Sequence, residues 1–382
     1  MLFNPFSSGI SNFLKQANSF LEVQNAFLES ASHFLPNISS TEMTVLHPDP
    51  RDVGEWKRQV FKAPQDEQDK FVNRLDYYTF IPSPTEGQEK IKYRGLVVML
   101  HGCDQNASVF AQGTRMNLYA QHYGFVVLYP QQNKLHNLAQ CWRWFDLSPN
   151  SGLAEANTIM ELIEQTIKKY DIDPVNVFIA GMSAGSGMAT ALAFSFPDRI
   201  AAVALHSGPV FNKARNATSG LDVMLETDLG SDESLISYLK TFAKPVAHHI
   251  PTLIIHGLKD KAVNISNARA LSKQALYLNK LPLDTKPVIT KHDTGTPNAY
   301  TKKIYYGDNL PIVKLIEVDN MSHDWAGGDT SLPFNTEYGP NSSQTILRFF
   351  YNFVTLKNKP DIESLVKVDT TVKNTSQAKK TS

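Results

Sequence analysis

The five residues Gly181-Met182-Ser183-Ala184-Gly185 carry the spacing that can turn a serine into a nucleophile. A serine hydroxyl is a weak nucleophile at neutral pH. It acts when a base takes its proton and an acid orients that base. Small residues two before and two after the serine let the backbone make a sharp strand-to-helix turn with the hydroxyl exposed. A plain glycine-rich turn or a phosphate loop would look similar. No Gly-Lys-Ser/Thr follows, however, and the loop is too short for a phosphate cradle.

The acid and the base are sought further along the chain. Asp260, in His256-Gly257-Leu258-Lys259-Asp260, follows the apolar run Leu253 to Ile255 and is the candidate acid. Asp228, Asp232 and Asp319 are its rivals. The first two lie in poorly patterned sequence, and Asp319 is too near His323 to orient it from a separate loop. Of 11 histidines, His323 is the candidate base, because it follows the run Val313 to Val318 and precedes the last helical segment. His101 and His256 sit at strand ends and read as turn supports. His206 could line the site, and His248 and His249 fall in a cap-like stretch. Acyl transfer also needs backbone N–H groups aimed at the developing oxyanion. Ala184, after the serine, is one candidate donor. Cys103, on the loop after Leu96 to Leu100, is the other.

These residues need a frame that brings them together. Apolar runs at 77–81, 96–100, 125–129, 177–180, 201–205, 253–255 and 313–318 read as strands. Segments at 154–170, 186–196 and 343–353 have helical spacing or helix-favouring composition. Strands apolar on both faces and alternating with helices imply a parallel sheet covered on both sides. The stretch 211–250 has no clear strand and is a candidate cap. The stretch 282–310 reads as loop. Serine, aspartate and histidine in that chain order suit an α/β-hydrolase fold.

In chain order, LVVMLHGC (96–103), Cys141-Trp142 with Trp144-Phe145, Ile172-Asp173-Pro174, GMSAGSGMA (181–189), LHSG (205–208), HGLKDKAV (256–263) and SHDWAGG (322–328) resemble the polyhydroxybutyrate-depolymerase family. That family includes feruloyl and acetylxylan esterases. The resemblance spans residues 75–355 and implies an α/β-hydrolase fold: a mostly parallel sheet, helices on both faces and a short cap. It implies carboxylic ester hydrolysis with no cofactor; no metal site is read from the sequence. The ester would be poly(3-hydroxybutyrate) or its oligomers, or a feruloyl- or acetyl-carbohydrate. It maps Ser183, His323 and Asp260 onto a triad, and Cys103 and Ala184 onto the oxyanion donors. It also implies a Cys103–Cys141 disulfide, whereas the sequence alone leaves two separate core thiols as the alternative. Trp142, Trp144 and Trp325 resemble substrate-contacting aromatics, with core packing the alternative. Asp324 departs from the small residue common in the family, and a carboxylate there would raise the imidazole pKa or contact substrate. An acyltransferase and a non-catalytic polymer-binding protein are the other readings.

The whole chain narrows the partners. Its 37 basic and 37 acidic side chains cancel, which gives no basic stripe for nucleic acid. No apolar run reaches the roughly 18 residues of a membrane span. The first residues lack a basic, then apolar, leader. The resemblance and the disulfide it implies point to an extracellular or periplasmic setting, and the leader-less start points to the cytoplasm. Phe-Leu pairs recur every seventh residue at 13–14, 20–21, 27–28 and 34–35. They predict an amphipathic helical extension over residues 1–45, docked on the enzyme, forming a homodimer seam over 13–35, or adhering to an apolar surface. The catalytic domain is expected over 46–357. Residues 358–382 carry few large apolar side chains and are expected to be a disordered tail.

Overall fold

The computed structural model describes residues 49–63, 74–84, 92–240, 242 and 248–355. The expected 1–45 helix and the 358–382 tail lie outside these residues. The strands are β1 (Glu55–Lys62), β2 (Arg74–Ile81), β3 (Gly95–Leu100), β4 (Phe125–Gln131), β5 (Val177–Met182), β6 (Ala202–His206), β7 (Thr252–Gly257), β8 (Val288–His292), β9 (Tyr300–Gly307) and β10 (Leu310–Val318). They form one sheet in the order β1-β2-β4-β3-β5-β6-β7-β10-β9-β8. The six strands from β4 to β10 in that order are parallel, and antiparallel strands extend both flanks. Two short strands, β11 (Trp325–Ala326) and β12 (Asn335–Thr336), pair apart from it.

The helices are α1 (Ala107–Thr114), α2 (Met116–Tyr123), α3 (Gly152–Tyr170), α4 (Ala184–Ser195), α5 (Ala217–Leu225), α6 (Asp232–Lys240), α7 (Ile265–Leu278) and α8 (Ser342–Tyr351). Alternate residues of the central strands face opposite sides, because side chains alternate along a strand. Leu96, Val98 and Leu100 of β3 pack with Ile159 and Ile163 of α3, Met188 and Leu192 of α4 and Leu271 of α7. Val97 and Met99 join Phe110 of α1, Met116 of α2 and Phe350 of α8 on the other face. β3, β5, β6 and β7 are buried along their whole length, as expected of strands covered on both sides. Among the described residues no helix is long and apolar enough to cross a membrane.

One local reading needs correction, and one strand went unread. Residues 282–310 are not all loop: β8 and β9 extend the sheet there. The first four residues of β8 are exposed on both faces, so no apolar alternation marked them. β1 was silent for the same reason. β4 includes Pro130 and runs on to Gln131. At that level β3 has stopped pairing, and Pro130 lies opposite Tyr77 of β2 alone, an environment that tolerates a residue without an N–H. The stretch 211–250 does hold the short helices α5 and α6. Their Val223 and Leu235, with Leu229 between, cluster with Ala184 and Trp144.

Candidate active site

Ser183 follows β5, Asp260 follows β7, His323 follows β10, and Cys103 follows β3. All four strands are parallel, so all four loops emerge at one edge, the carboxyl end where such sheets gather their sites. A cavity of ≈ 430 Å³ opens at the other edge, beside Arg199, His249, Pro251 and Ile312, and none of these candidates lines it.

Ser183 caps α4 with φ 55° and ψ −122°, a conformation that costs an L-residue of order 1–3 kcal/mol. The surroundings enforce it. The Ser183 N–H donates to His206 O at 2.9 Å, and Ser183 O accepts from Gly187 N–H at 3.1 Å. The flanking glycines are obligatory for space. A Cβ on Gly181 would sit 2.2 Å from Gly185 O, and one on Gly185 would sit 2.0 Å from Leu100 O.

Asp260 is fixed on both oxygens. Its Oδ1 accepts from Ala262 N–H at 2.9 Å and Val263 N–H at 2.8 Å. Its Oδ2 lies 2.8 Å from Nδ1 of His323. The hydrogen on that bond belongs to Nδ1, which leaves Nε2 of His323 as the ring atom available to a hydroxyl. Burial alone would raise the Asp260 carboxyl, but His323, His256 and the Val263 N–H together outweigh burial and hold it below the usual range. Burial would lower the His323 imidazole. The Asp260 carboxylate prevails, and Asp324 adds to it, so His323 is pushed up. Burial raises the Asp324 carboxyl, against a hydrogen bond with Ser322 and the charge of His323. The rival acids lie elsewhere. Asp232 pairs with Lys273 at 3.1 Å, Asp228 caps a turn at Gly230, and Asp319 bonds Ala299 through its backbone N–H.

The loop after β3 touches the serine: a Cβ on Gly102 would lie 3.4 Å from Ser183 Cβ. Gln105 Oε1 accepts from Gly102 N–H at 2.8 Å, and Asp104 N–H donates to Ala139 O at 2.7 Å. Cys103 is disulfide-bonded to Cys141, with their Cα atoms 4.3 Å apart. Ala184 begins α4, and an N–H in a first turn has no partner within its helix.

The expected substrate-lining residues are placed behind this surface. Trp142 is 1% exposed and donates from Nε1 to His101 O at 3.1 Å. It braces the β3 loop from the core. Trp325 is equally buried, stacks on His206 with centroids 4.6 Å apart, and donates to Ser343 Oγ at 3.1 Å. His206 is fully buried, its Nε2 3.0 Å from Ser342 Oγ, and burial drives its pKa down to about 3. Core packing therefore accounts for these three. Trp144 is also buried, but lies in the cluster with Ala184, flanked by Cys103 and Cys141, against Gly187.

Two features escaped the sequence reading. His256 is fully buried, with Nε2 3.5 Å from Asp260 Oδ2 and 2.7 Å from Val263 O. The spacing of four in His256-Gly257-Leu258-Lys259-Asp260 was its only signal. Glu155 of α3 accepts from Gln132 Nε2 and Arg143 N–H, each at 2.7 Å. It holds the segment around Cys141, and burial lifts its pKa to about 7. Among the described residues no three His, Cys, Asp or Glu side chains gather as metal ligands.

The sequence profile of the family described as esterase PHB depolymerase matches residues 75–289, more than half of the chain. The chain belongs to this family. A poly(3-hydroxyalkanoate) depolymerase C of Paucimonas lemoignei is 28% identical over 60% of this chain and 54% of its own length. The chain thus spans about half of that relative. Feruloyl esterase B of Neurospora crassa is 28% identical over 72% of this chain and 86% of its own length. An acetyl xylan esterase from Aspergillus awamori has a similar fold, with a TM-score of 0.57 and 21% identity over 70% of this chain and 94% of that one. The α/β-hydrolase architecture expected from the sequence is the one observed. The enzyme class of these family relatives is carboxylic ester hydrolase, and the Cys103–Cys141 disulfide implied by the resemblance is present in the fold.

Proposed function

We propose that this PHB-depolymerase-family chain is a serine esterase with Ser183 as nucleophile, His323 as base and Asp260 as its orienting acid. The observation that carries the reading is the 2.8 Å His323–Asp260 bond on the sheet edge that also presents Ser183 on its strained turn. His323 Nε2 takes the Ser183 proton as Oγ attacks the ester carbonyl. The N–H groups of Cys103 and Ala184 hold the oxyanion. The imidazolium, steadied by Asp260, then protonates the leaving alcohol, and water repeats the sequence to release the acid. The proposal adds a Ser183–His323 hydrogen bond that this structure does not make, and such bonds often tighten only with substrate.

The substrate proposed first is poly(3-hydroxybutyrate) or its oligomers, in keeping with the depolymerase relative. A feruloyl or acetyl carbohydrate ester is the second reading, favoured by the long match to a feruloyl esterase. Hydrolysis measured side by side on hydroxybutyrate oligomers, a feruloyl sugar, an acetyl sugar and p-nitrophenyl acetate tests both. Turnover confined to sugar esters would displace the first reading. No turnover of any ester, with no labelling of Ser183 by a fluorophosphonate, would remove both.

A further inference from the structure

Leu135 is 91% exposed and Leu138 is 68% exposed, while every other exposed large apolar side chain among the described residues is at 56% or less. Single apolar residues on a surface are ordinary. This pair differs in three respects. First, both occupy one turn, three residues apart.

Second, the turn is rigidly built. Asn133 O accepts from the N–H groups of His136 and Asn137 at 3.0 Å each, and Asn133 Oδ1 accepts from Leu135 N–H at 2.9 Å. Gln140 N–H donates to Asn137 O at 2.8 Å, and Arg143 Nη2 donates to His136 O at 2.9 Å. The leucines are therefore held in water by an ordered backbone, where a loose loop would fold them back. Exposing them opposes the hydrophobic effect unless something apolar covers them.

Third, the turn lies beside the candidate site. It leaves β4 at the same sheet edge as the loop after β3. It is joined to that loop by the Cys103–Cys141 disulfide and by the Asp104–Ala139 hydrogen bond. The charges at the turn are Lys134, the Arg143 guanidinium on His136 O and the Asp104 carboxyl near Lys134, which largely offset one another. A near-neutral patch of two leucines recognises neither an anionic surface nor a charged peptide. It suits a neutral apolar phase. A small soluble ester that fills the space around Ser183 would not need these leucines. A condensed substrate, far larger than the site, would meet both at once.

We propose that the Leu135–Leu138 turn is an adsorption surface that seats a water-insoluble polyester beside Ser183. This rests on the esterase reading above. The test uses the full chain and a Leu135→Ser, Leu138→Ser double variant. Adsorption to poly(3-hydroxybutyrate) particles is measured in a Ser183→Ala background, and turnover is measured in the active background on particles and on p-nitrophenyl acetate. The expected result is adsorption and particle turnover lowered about tenfold or more, as befits the loss of apolar contact by two leucines. Turnover of p-nitrophenyl acetate and the melting temperature should stay unchanged. Unaltered particle adsorption, or equal loss on both substrates, overturns the adsorption surface. So does a dimer that the double variant converts to monomer, because the leucines would then face a second copy. Absence of p-nitrophenyl acetate turnover in the unsubstituted chain would instead overturn the esterase reading, and adsorption would still be scored independently.

Discussion

The side chains of Asp260 and His323 meet at 2.8 Å, Oδ2 to Nδ1, across 63 residues of sequence. The contact exists because β7 and β10 are parallel neighbours, with Gly257 in register with Val318. Each strand delivers its loop to the same edge. Asp260→Asn should reverse the polarity of that bond and favour the wrong imidazole tautomer. An activity loss of about 10,000-fold on p-nitrophenyl acetate is expected, the scale known for such a change in a serine triad. Asp319→Asn and Asp232→Asn should cost less than about threefold, because neither carboxylate is part of the geometry. A large loss from Asp319→Asn would reassign the acid.

Ser183→Ala removes the proposed attacking oxygen and keeps the Cβ. Turnover should fall by roughly a million-fold, the scale of a lost nucleophile, with an unchanged circular dichroism spectrum. Ser183→Gly should also be inactive yet melt no lower than Ser183→Ala, since glycine adopts positive φ without the steric cost. A Ser183→Gly protein that melts well below Ser183→Ala would show that the turn is not strained.

With His323 as the proposed base, its upward shift should set the acid limb of activity. A base must be neutral, and the Asp260 carboxylate keeps this imidazole protonated to higher pH than a free histidine. The apparent pKa of the acid limb of kcat/KM should therefore lie above about 6.5, the unperturbed value. Asp324→Asn removes a second negative charge and should move that limb downward without abolishing activity. An unmoved limb would separate Asp324 from the base. The same shift links to folding: His323 adds stability below its unfolded pKa, and the gain is lost as pH rises through its raised folded value.

Glu155 gives a stability slope of the same sign, over a lower pH window and from burial instead of an ion pair. Its folded pKa, about 7, is raised, so the folded chain holds a proton that the unfolded chain releases. Stability should fall as pH rises from about 4.5 to about 7, by roughly 3 kcal/mol if no other group intervened. Glu155→Gln should flatten that part of the curve in urea unfolding measured at a series of pH values. Equal slopes in both proteins would contradict a buried, protonated carboxyl.

The Cys103–Cys141 bond closes a loop with a sequence separation of 38. Changing both cysteines to serine should cost about 3–4 kcal/mol through the unfolded chain's regained freedom. The loop that carries Cys103 would also lose its tether, so ester turnover should fall further than unfolding explains. Retained melting temperature and retained turnover would mean that the Asp104–Ala139 hydrogen bond holds the loop alone.

The fold was legible in the sequence, and so were the candidate site residues, because both are marked at strand ends. Ser183, Asp260 and His323 each follow a short apolar run, and buried parallel strands announce themselves by such runs. Strands with little buried surface do not, which is why β1 and β8 were silent. The tryptophans were ambiguous for a different reason. Trp142 and Trp325 are core residues because His101 O and Ser343 Oγ satisfy their indole N–H groups. Those partners lie 41 and 18 residues away, and no local pattern predicts them. His256 was passed over as a turn support. It is one, through Val263 O, but the same ring edge also approaches the Asp260 carboxylate.

The place of β10 in the sheet has a consequence for how the enzyme comes into being. β9 and β10 form a local hairpin, whereas β10 reaches β7 only across more than 50 residues of intervening chain. Local contacts close faster than distant ones. The Asp260 and His323 loops can therefore meet only once the hairpin has been made and has docked on β7. A nascent chain that still lacks β10 should be inert, so the appearance of ester cleavage during synthesis would time the docking of β10 on β7.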